Sequence, residues 1–139
     1  MIILDTNVVS ELMRPRPNRQ VARWISSQPA SSLFTTAITE AEIRLGVALL
    51  PRGKRREALQ SAVTLMFAED FEDRVLPFGS ASTSAFADLV ASRRRGGRPI
   101  SHADAQIAAI ARCHGAAVAT RNTADFEGCD LKLVNPWER

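Results

Sequence analysis

Short apolar segments with strand propensity alternate with helical patterns along this chain, and that alternation limits its possible folds more than any other feature. The first segment, Met1–Leu4, is apolar at every position, which is typical of a strand buried on both faces of a parallel sheet. Four more strands are predicted at Leu33–Ala37, Arg74–Phe78, Ala116–Ala119 and Leu131–Val134. Strands separated by helices predict an α/β fold, a three-layer α/β/α sandwich around a mostly parallel five-stranded sheet.

Helical patterns fill the intervals between these segments. They are predicted at Val8–Met13, Gln20–Ser27, Thr39–Leu50, Arg55–Ala68, Ala81–Arg94 and Ser101–His114. Pro51 and the pair Gly96-Gly97 end two of the helices, and Gly115 is placed as a helix C-cap. Pro77 lacks a backbone N–H, so the third strand should be short or lie at an edge of the sheet.

Length and composition predict one globular domain over residues 1–139, with 45% hydrophobic and 24% charged residues. The chain has neither an N-terminal signal-peptide pattern nor an apolar run long enough for a membrane helix, so we expect it in the cytoplasm. Its two cysteines, Cys113 and Cys129, have no second pair or histidine cluster nearby in sequence. They are predicted to be free thiols, buried or half-buried, rather than zinc ligands.

Several acidic residues are predicted to meet at one edge of the sheet. Ligands of open α/β sheets bind outside the carboxyl ends of the strands. Asp5 follows the first strand, and Asn122 and Asp125 follow the fourth. Glu42 and Asp104 lie in the first turns of helices that could begin at the same edge. The chain has no GxxxxGK[ST] loop and no GxGxxG turn, so nucleotide binding loses its main support.

Each of these acids could instead cap a helix. Glu42 could form a capping box with Thr39, Asp104 could form one with Ser101, and Asp5 could cap the helix that follows it. Their convergence favours a different interpretation, since two carboxylates ~4 Å apart repel by about 4 kcal/mol at an effective dielectric of ~20. Such a cluster requires protons or cations, and Mg²⁺ or Mn²⁺ prefers oxygen ligands.

Basic residues form two clusters within a modest net charge of +3. One cluster consists of Arg52, Lys54, Arg55 and Arg56, and the other of Arg93, Arg94, Arg95 and Arg98. Clustered guanidinium groups suit phosphates, because each can donate two parallel hydrogen bonds. Solvated helix ends are the alternative, since cations are favoured at a helix C-terminus.

Four segments in order resemble a known family. They are IILDTNVVSEL, TTAITEAEIRLGV, ISHADAQIAAIA and VATRNTADFEG with the closing LVNPW. Together they resemble PIN-domain ribonucleases of the VapC type, specifically the FitB-like branch, from Met1 to Trp137. The resemblance implies a PIN-like three-layer fold and a divalent-metal-dependent endoribonuclease, the toxin of a type II toxin–antitoxin pair. It also implies a Mg²⁺ cofactor (Mn²⁺ as an alternative), a homodimer, a small antitoxin partner, and DNA contact only through that antitoxin.

The resemblance assigns roles to individual residues. Asp5, Glu42 and Asp104 match the catalytic, metal-binding acids of the family. Thr6 and Asn7 match the polar pair that braces the site, and Thr120 matches the hydroxyl residue after the fourth strand. Asn122 stands where many PIN domains have a fourth acid, and Asp125 could reach the site through water or cap the next turn. The basic residues Arg93, Arg94, Arg95 and Arg98 are the favoured candidates for contact with the RNA backbone.

Two other functions compete with RNA hydrolysis. Asn122 favours a catalytically weak PIN-like module that acts mainly by binding an antitoxin, and DNA through it. A small-molecule phosphatase would need a similar metal, but its usual DxD pattern is absent because Thr6 and Asn7 follow Asp5. A neighbouring reading frame for a small antitoxin-like protein would favour the toxin over a lone module.

Overall fold

A computed structural model describes residues 1–138 of the chain. Five strands and six α-helices are present in that range. In chain order they are β1 (Ile2–Leu4), α1 (Thr6–Leu12), α2 (Arg19–Ser27), β2 (Leu33–Thr36), α3 (Ala37–Ala48), α4 (Lys54–Leu65), β3 (Val75–Leu76), α5 (Thr83–Arg95), α6 (His102–His114), β4 (Ala117–Ala119) and β5 (Leu133–Val134). No helix in residues 1–138 is both long and apolar enough to cross a membrane.

The strands form one sheet in the order β3-β2-β1-β4-β5, and every neighbouring pair is parallel. The predicted parallel α/β sheet is therefore confirmed. β1 is central, since Ile2 is opposite Leu33 on one side and Ala117 on the other. β3 has two residues and lies at an edge, as Pro77 predicts. This order places the carboxyl ends of β1 and β4 side by side.

Helices cover both faces of the sheet. Successive residues of a strand point to opposite faces, so Ile3 and Leu4 enter different cores. Ile3 belongs to the core that contains Leu89 of α5 and Ile107 of α6. Leu4 belongs to the core built with α1 to α4, which includes Val8. The two cores account for the three layers, helices α1 to α4 on one side and α5 and α6 on the other.

Helices α1 and α3 each begin two residues earlier than the sequence predicts, because a residue at or just after the strand end caps each of them. Thr36 ends β2 and caps α3, its Oγ1 accepting the Thr39 N–H at 3.1 Å, so the helix begins at Ala37 rather than Thr39. Asp5 caps α1 by accepting the Thr6 N–H. Strand and helix therefore join without a loop at both places. The backbone after α4 also differs, since Met66–Asp70 continues as a π-helix.

The predicted limits of α6 agree closely with the structure. Ser101 caps the helix, with its Oγ accepting the Asp104 N–H at 3.1 Å. Gly115 ends it in the left-handed conformation at φ 62°, where a residue without Cβ is favoured. One prediction nearby was wrong: Cys113 is exposed, because the last turn of α6 faces solvent, whereas Cys129 is buried as expected.

Candidate active site at the carboxyl edge of the sheet

Asp5 and Thr120 meet across the neighbouring ends of β1 and β4. The Thr120 Oγ1 hydroxyl donates to Asp5 Oδ2 at 2.8 Å, and the Asp5 N–H donates to the Ala119 carbonyl at 2.9 Å. Thr120 is fully buried and Asp5 is 5% exposed. The strand order thus joins two residues that are 115 positions apart in sequence.

Asp5 is both a helix cap and part of the candidate site. Its Oδ1 accepts the Thr6 N–H at 2.8 Å, which is the capping contact. Its Oδ2 also accepts from Asn7 Nδ2 at 3.2 Å. Burial raises the pKa of Asp5 and Glu42 adds to the rise, while the hydrogen bonds from Thr120, Thr6 and Asn7 oppose it. The capping alternative and the site prediction therefore apply to the same carboxylate.

Thr6 connects Asp5 to Glu42. Its backbone N–H binds Asp5, and its Oγ1 hydroxyl donates to Glu42 Oε1 at 2.7 Å. Thr6 Oγ1 also lies 3.0 Å from Thr39 Oγ1, so Thr39 can donate to Thr6 while Thr6 donates to Glu42. The capping box between Glu42 and Thr39 is wrong, because Thr36 is the actual cap and Glu42 lies in the second turn of α3. The sequence does not predict the contact between Thr39 and Thr6. It shows only that Thr39 lies three residues before Glu42, on the same face of a helix.

Asp104 joins the same electrostatic cluster from the first turn of α6. Burial, followed by the negative charge of Asp5, raises the pKa of Asp104 to about 6. Asp125 and Glu42 raise this pKa further, whereas the hydrogen bond with Ser101 lowers it. The structure therefore brings all four carboxylates within electrostatic range at one sheet edge, and Asp104 also takes part in the capped first turn predicted for it.

Asn122 and Asp125, the two predicted site residues beyond Thr120, differ in their contributions. Asn122 is exposed, and its backbone N–H donates to Thr120 Oγ1 at 3.1 Å, which supports the hydroxyl that holds Asp5. Asp125 lies in the 3-10 turn Thr123–Phe126, where its N–H donates to the Asn122 carbonyl at 3.0 Å. Its carboxylate acts on Asp104 through charge.

The donor set suits a hard cation, and the assignment of Asp5, Glu42 and Asp104 as its ligands stays a prediction. Within residues 1–138 of the cation-free protein, no three His, Cys, Asp or Glu side chains already form a group that could hold a metal ion. Mg²⁺ usually takes one or two carboxylates and keeps several waters. The mutual repulsion of these carboxylates is what such a partly hydrated cation relieves.

A PIN domain family profile matches residues 2–128 of the chain. The chain belongs to the PIN domain family. It is 45% identical over 138 residues to "VapC ribonuclease Y4jK" of Sinorhizobium fredii, covering 99% of each chain. It is 41% identical over 137 residues to "Toxin FitB" of Neisseria gonorrhoeae, again over 99% of each. The solved structure of FitAcB from Neisseria gonorrhoeae has a TM-score of 0.93 and 40% identity, with 100% of both chains covered.

Arg93 makes backbone contacts in this PIN domain that its sequence cluster does not predict. Its Nη1 donates to the carbonyls of Asp125 at 3.0 Å and Glu127 at 2.9 Å, and its Nε donates to the Arg98 carbonyl at 2.6 Å. Arg93 therefore ties the end of α5 to the turn after β4, and its contact with the RNA backbone stays a prediction. The clamp also places the end of α5 beside the carboxyl edge of the sheet.

The other arginines of the α5 cluster are exposed. Arg94 and Arg95 lie in the last turn of α5, and Arg98 forms an exposed ion pair with Glu127 at 3.3 Å. The second cluster lies just before and within the first turn of α4, which begins at Lys54, and the helix dipole disfavours cations there. The solvated C-terminus therefore remains an alternative for the α5 cluster alone.

Proposed function

We propose that this PIN domain is a divalent-metal-dependent endoribonuclease that hydrolyses RNA phosphodiesters as the toxin of a toxin–antitoxin pair. The observation that carries the proposal is the carboxylate cluster of Asp5, Glu42 and Asp104, in which burial and mutual repulsion raise the pKa of Asp5 and Asp104. The names of two full-length relatives, a VapC ribonuclease and a toxin, support the same activity.

The chain's own residues orient the acids for this chemistry. Thr120 and Asn7 hold Asp5, and Thr6 holds Glu42. A Mg²⁺ or Mn²⁺ ion bound here, directly by one or two of the carboxylates, would supply positive charge to the phosphate and promote ionisation of water. Asp104, with a pKa of about 6 in the cation-free protein, is suited to accept a proton near neutral pH when it is not itself a ligand.

Basic side chains near this edge would hold the RNA backbone. Arg94 and Arg95 lie in the last turn of α5, and Arg98 lies in the segment that leads from α5 to Ser101, the cap of the helix that carries Asp104. The Arg93 clamp places that turn beside Asp125. Phosphate contacts of this kind fix register and orientation without reading sequence.

The partner we propose is a small antitoxin, with two toxin subunits in the assembly. The α1 and α2 residues Val8, Val9 and Val21 are buried within this chain and are not available for association. The exposed large apolar side chains are instead Met1 and the α3 and α4 residues Leu45, Leu49 and Leu65. A structure titled FitAB bound to an IR36 DNA fragment, at 40% identity, supports DNA contact by a complex rather than by the toxin alone.

A second candidate is a catalytically weak PIN domain that acts by binding its partner. One observation favours it: Asn122 is neutral where many family members have an acid. The presence of Asp5, Glu42 and Asp104 together argues against it.

One experiment separates the two candidates. Purified protein is incubated with total RNA in Mg²⁺, in Mn²⁺ and in EDTA, and the new 5′ ends are mapped. We expect discrete cleavage with either metal, none in EDTA, and none with Asp5→Asn. Antitoxin binding without cleavage under any metal condition would establish the partner-binding module instead.

A further inference from the structure

Two side chains near the carboxylate cluster hold the backbone of Arg121 by hydrogen bonds. Its backbone N–H donates to Asn7 Oδ1 at 3.1 Å, and its carbonyl accepts from Asn135 Nδ2 at 3.4 Å. Asn7 also donates to Asp5, so one amide side chain binds both Asp5 and the backbone of Arg121. The backbone of Arg121 is thereby held from the ends of β1 and β5, the two strands on either side of β4.

The guanidinium of Arg121 is oriented by an aromatic ring. Its Cζ lies 5.1 Å from the ring centroid of Trp137, within the range of a cation–π contact. Asn135 Oδ1 accepts the Trp137 N–H at 3.0 Å, so the segment that presents the ring is itself held. The Arg121 side chain is nevertheless exposed, and within residues 1–138 no carboxylate lies in ion-pair distance of it. Its charge is therefore accessible to solvent.

Arg121 is also distinguished by its charge. Among the three residues that follow each of the five strands, it is the only basic one. A polyanion that approaches this edge meets repulsion from its carboxylates. Arg121, whose backbone binds the same Asn7 that contacts Asp5, offers the opposite charge on this edge.

We propose that Arg121, stacked on Trp137, binds an RNA phosphate adjacent to the phosphodiester that is cleaved. This inference rests on the proposed function and identifies a substrate-binding residue for it. A guanidinium donates in a fork that matches phosphate oxygens, and it keeps those donors free while its face lies on an aromatic ring. Stacking restricts the side chain before RNA arrives, which reduces the entropy lost on binding.

Binding is measured in the Asp5→Asn background, so that the RNA stays intact, by fluorescence anisotropy of a short single-stranded RNA over a salt series. Arg121→Gln should raise Kd about 5- to 20-fold, and it should flatten the log Kd against log salt slope by about 0.7, the value for one phosphate contact. The matched control is Arg112→Gln, an exposed arginine in the last turn of α6, near Met1 at the opposite edge of the sheet. This control should leave the slope unchanged.

Steady-state kinetics of RNA cleavage, measured with Asp5 intact, provide the second readout. Arg121→Gln should raise KM with kcat within about twofold, since a contact made equally in ground and transition states affects KM alone. Arg121→Lys should restore part of the affinity, because it keeps the charge and loses the fork. Trp137→Leu should weaken RNA binding by a smaller factor than Arg121→Gln, with the folded fraction checked by thermal melting.

Three results would overturn the inference. One is an unchanged salt slope and KM in Arg121→Gln while the parent cleaves RNA. Another is a loss of binding in Arg121→Gln that parallels a lower melting temperature, which makes Arg121 structural. A third is unchanged RNA binding with weakened antitoxin binding, which assigns the residue to the protein partner. Failure of the parent to cleave any RNA contradicts the proposed function itself and is thus distinct from these.

Discussion

At the scale of single residues, one carboxylate in this protein both caps a helix and has a raised pKa. Asp5 accepts three hydrogen bonds, one of which caps α1. Its pKa is nevertheless raised, because burial outweighs those contacts. A cap and a catalytic group are therefore not exclusive assignments for such a residue.

We predict that Asp5→Asn abolishes RNA cleavage while the fold survives. The amide oxygen can still accept the Thr6 N–H, so the cap is retained, and removal of one charge reduces the repulsion with Glu42 and Asp104. The amide nitrogen opposes Asn7 Nδ2, which offsets part of that gain. In EDTA we expect a free energy of unfolding equal to or up to ~1 kcal/mol above the parent, measured by urea denaturation.

Either of two results would refute this. Full cleavage by Asp5→Asn removes Asp5 from the chemistry. A loss of more than ~2 kcal/mol in EDTA would make capping its main role. Glu40→Gln provides a matched control on the exposed side of α3, where Glu40 only pairs with Arg44.

The raised pKa of Asp104 predicts a pH dependence of stability. With a folded pKa of about 6 against an ordinary value of 3.8, folded Asp104 holds its proton between these pH values when the unfolded chain has lost it. Stability therefore falls as pH rises from about 4 towards 7. In EDTA, Asp104→Asn should remove part of that fall, about 1 kcal/mol after allowance for its partial exposure. The control is Asp88→Asn, an exposed acid on α5. If the free energy of unfolding depends on pH in the same way for the parent and for Asp104→Asn, the prediction for Asp104 is wrong.

The candidate site could be predicted as a set of residues but not as a network. Parallel strands end at one edge, so Asp5 and Thr120 follow from strand order once β1 and β4 are recognised. The hydroxyl contact from Thr6 to Glu42 depends on the register of α1 against α3, which no local pattern encodes. For the same reason, the separation of the carboxylates could not be read from sequence.

At the scale of secondary structure elements, the presence and type of each element were easier to predict than its first and last residues. All five strands and six helices were predicted in order. Thr36 and Thr39 show why an end can be misplaced: both are threonines with an acid three or four positions on, and only the direct passage from β2 into α3 selects Thr36 as the cap. The role of Arg93 was missed because its partners are backbone carbonyls more than thirty positions away in sequence.

We predict that Arg93→Gln destabilises the protein. The change removes donors to the carbonyls of Asp125 and Glu127, and hydrogen bonds from a charged donor contribute about 1.5–3 kcal/mol when buried. Since these contacts are exposed, we expect a loss of about 1–2 kcal/mol in urea unfolding. Arg94→Gln, the exposed neighbour, should change stability by less than ~0.5 kcal/mol. Equal stabilities of the two variants would refute the clamp.

At the scale of the whole molecule, the protein is predicted to form a homodimer that a small antitoxin inhibits. The exposed leucines of α3 and α4 are apolar surface that association can cover. Light scattering at micromolar concentration should give twice the mass of 15.2 kDa. A monomer at all concentrations would contradict the dimer. If a neighbouring reading frame encodes a small antitoxin-like protein, its failure to block cleavage would contradict the pairing.

Charge is distributed unevenly over the molecule, and this predicts how RNA binding depends on salt. The net charge is +3, yet the carboxyl edge of the sheet is acidic. The exposed arginines Arg94, Arg95 and Arg98 lie beside that edge, at and just after the end of α5. If these three contact phosphates, each contributes about −0.7 to the log–log salt slope on single strands, or about −2 together. Their joint replacement by Gln should flatten the slope by that amount and weaken all RNA sequences alike. The measurement is anisotropy of two unrelated RNAs across a salt series.

The cluster of Arg52, Lys54, Arg55 and Arg56 provides the internal comparison. It follows the far end of α3, whereas Glu42 lies near the beginning of that helix at the carboxyl edge. Its replacement by Gln should therefore change the slope by less than the α5 cluster does, and Asp5→Asn should leave the slope nearly unchanged because it affects chemistry rather than phosphate contact. If removing Arg94, Arg95 and Arg98 has no effect on the slope, those side chains serve only the C-terminal dipole of α5. Other cations would then make the phosphate contacts, and Arg121→Gln in the same assay shows whether Arg121 is one of them.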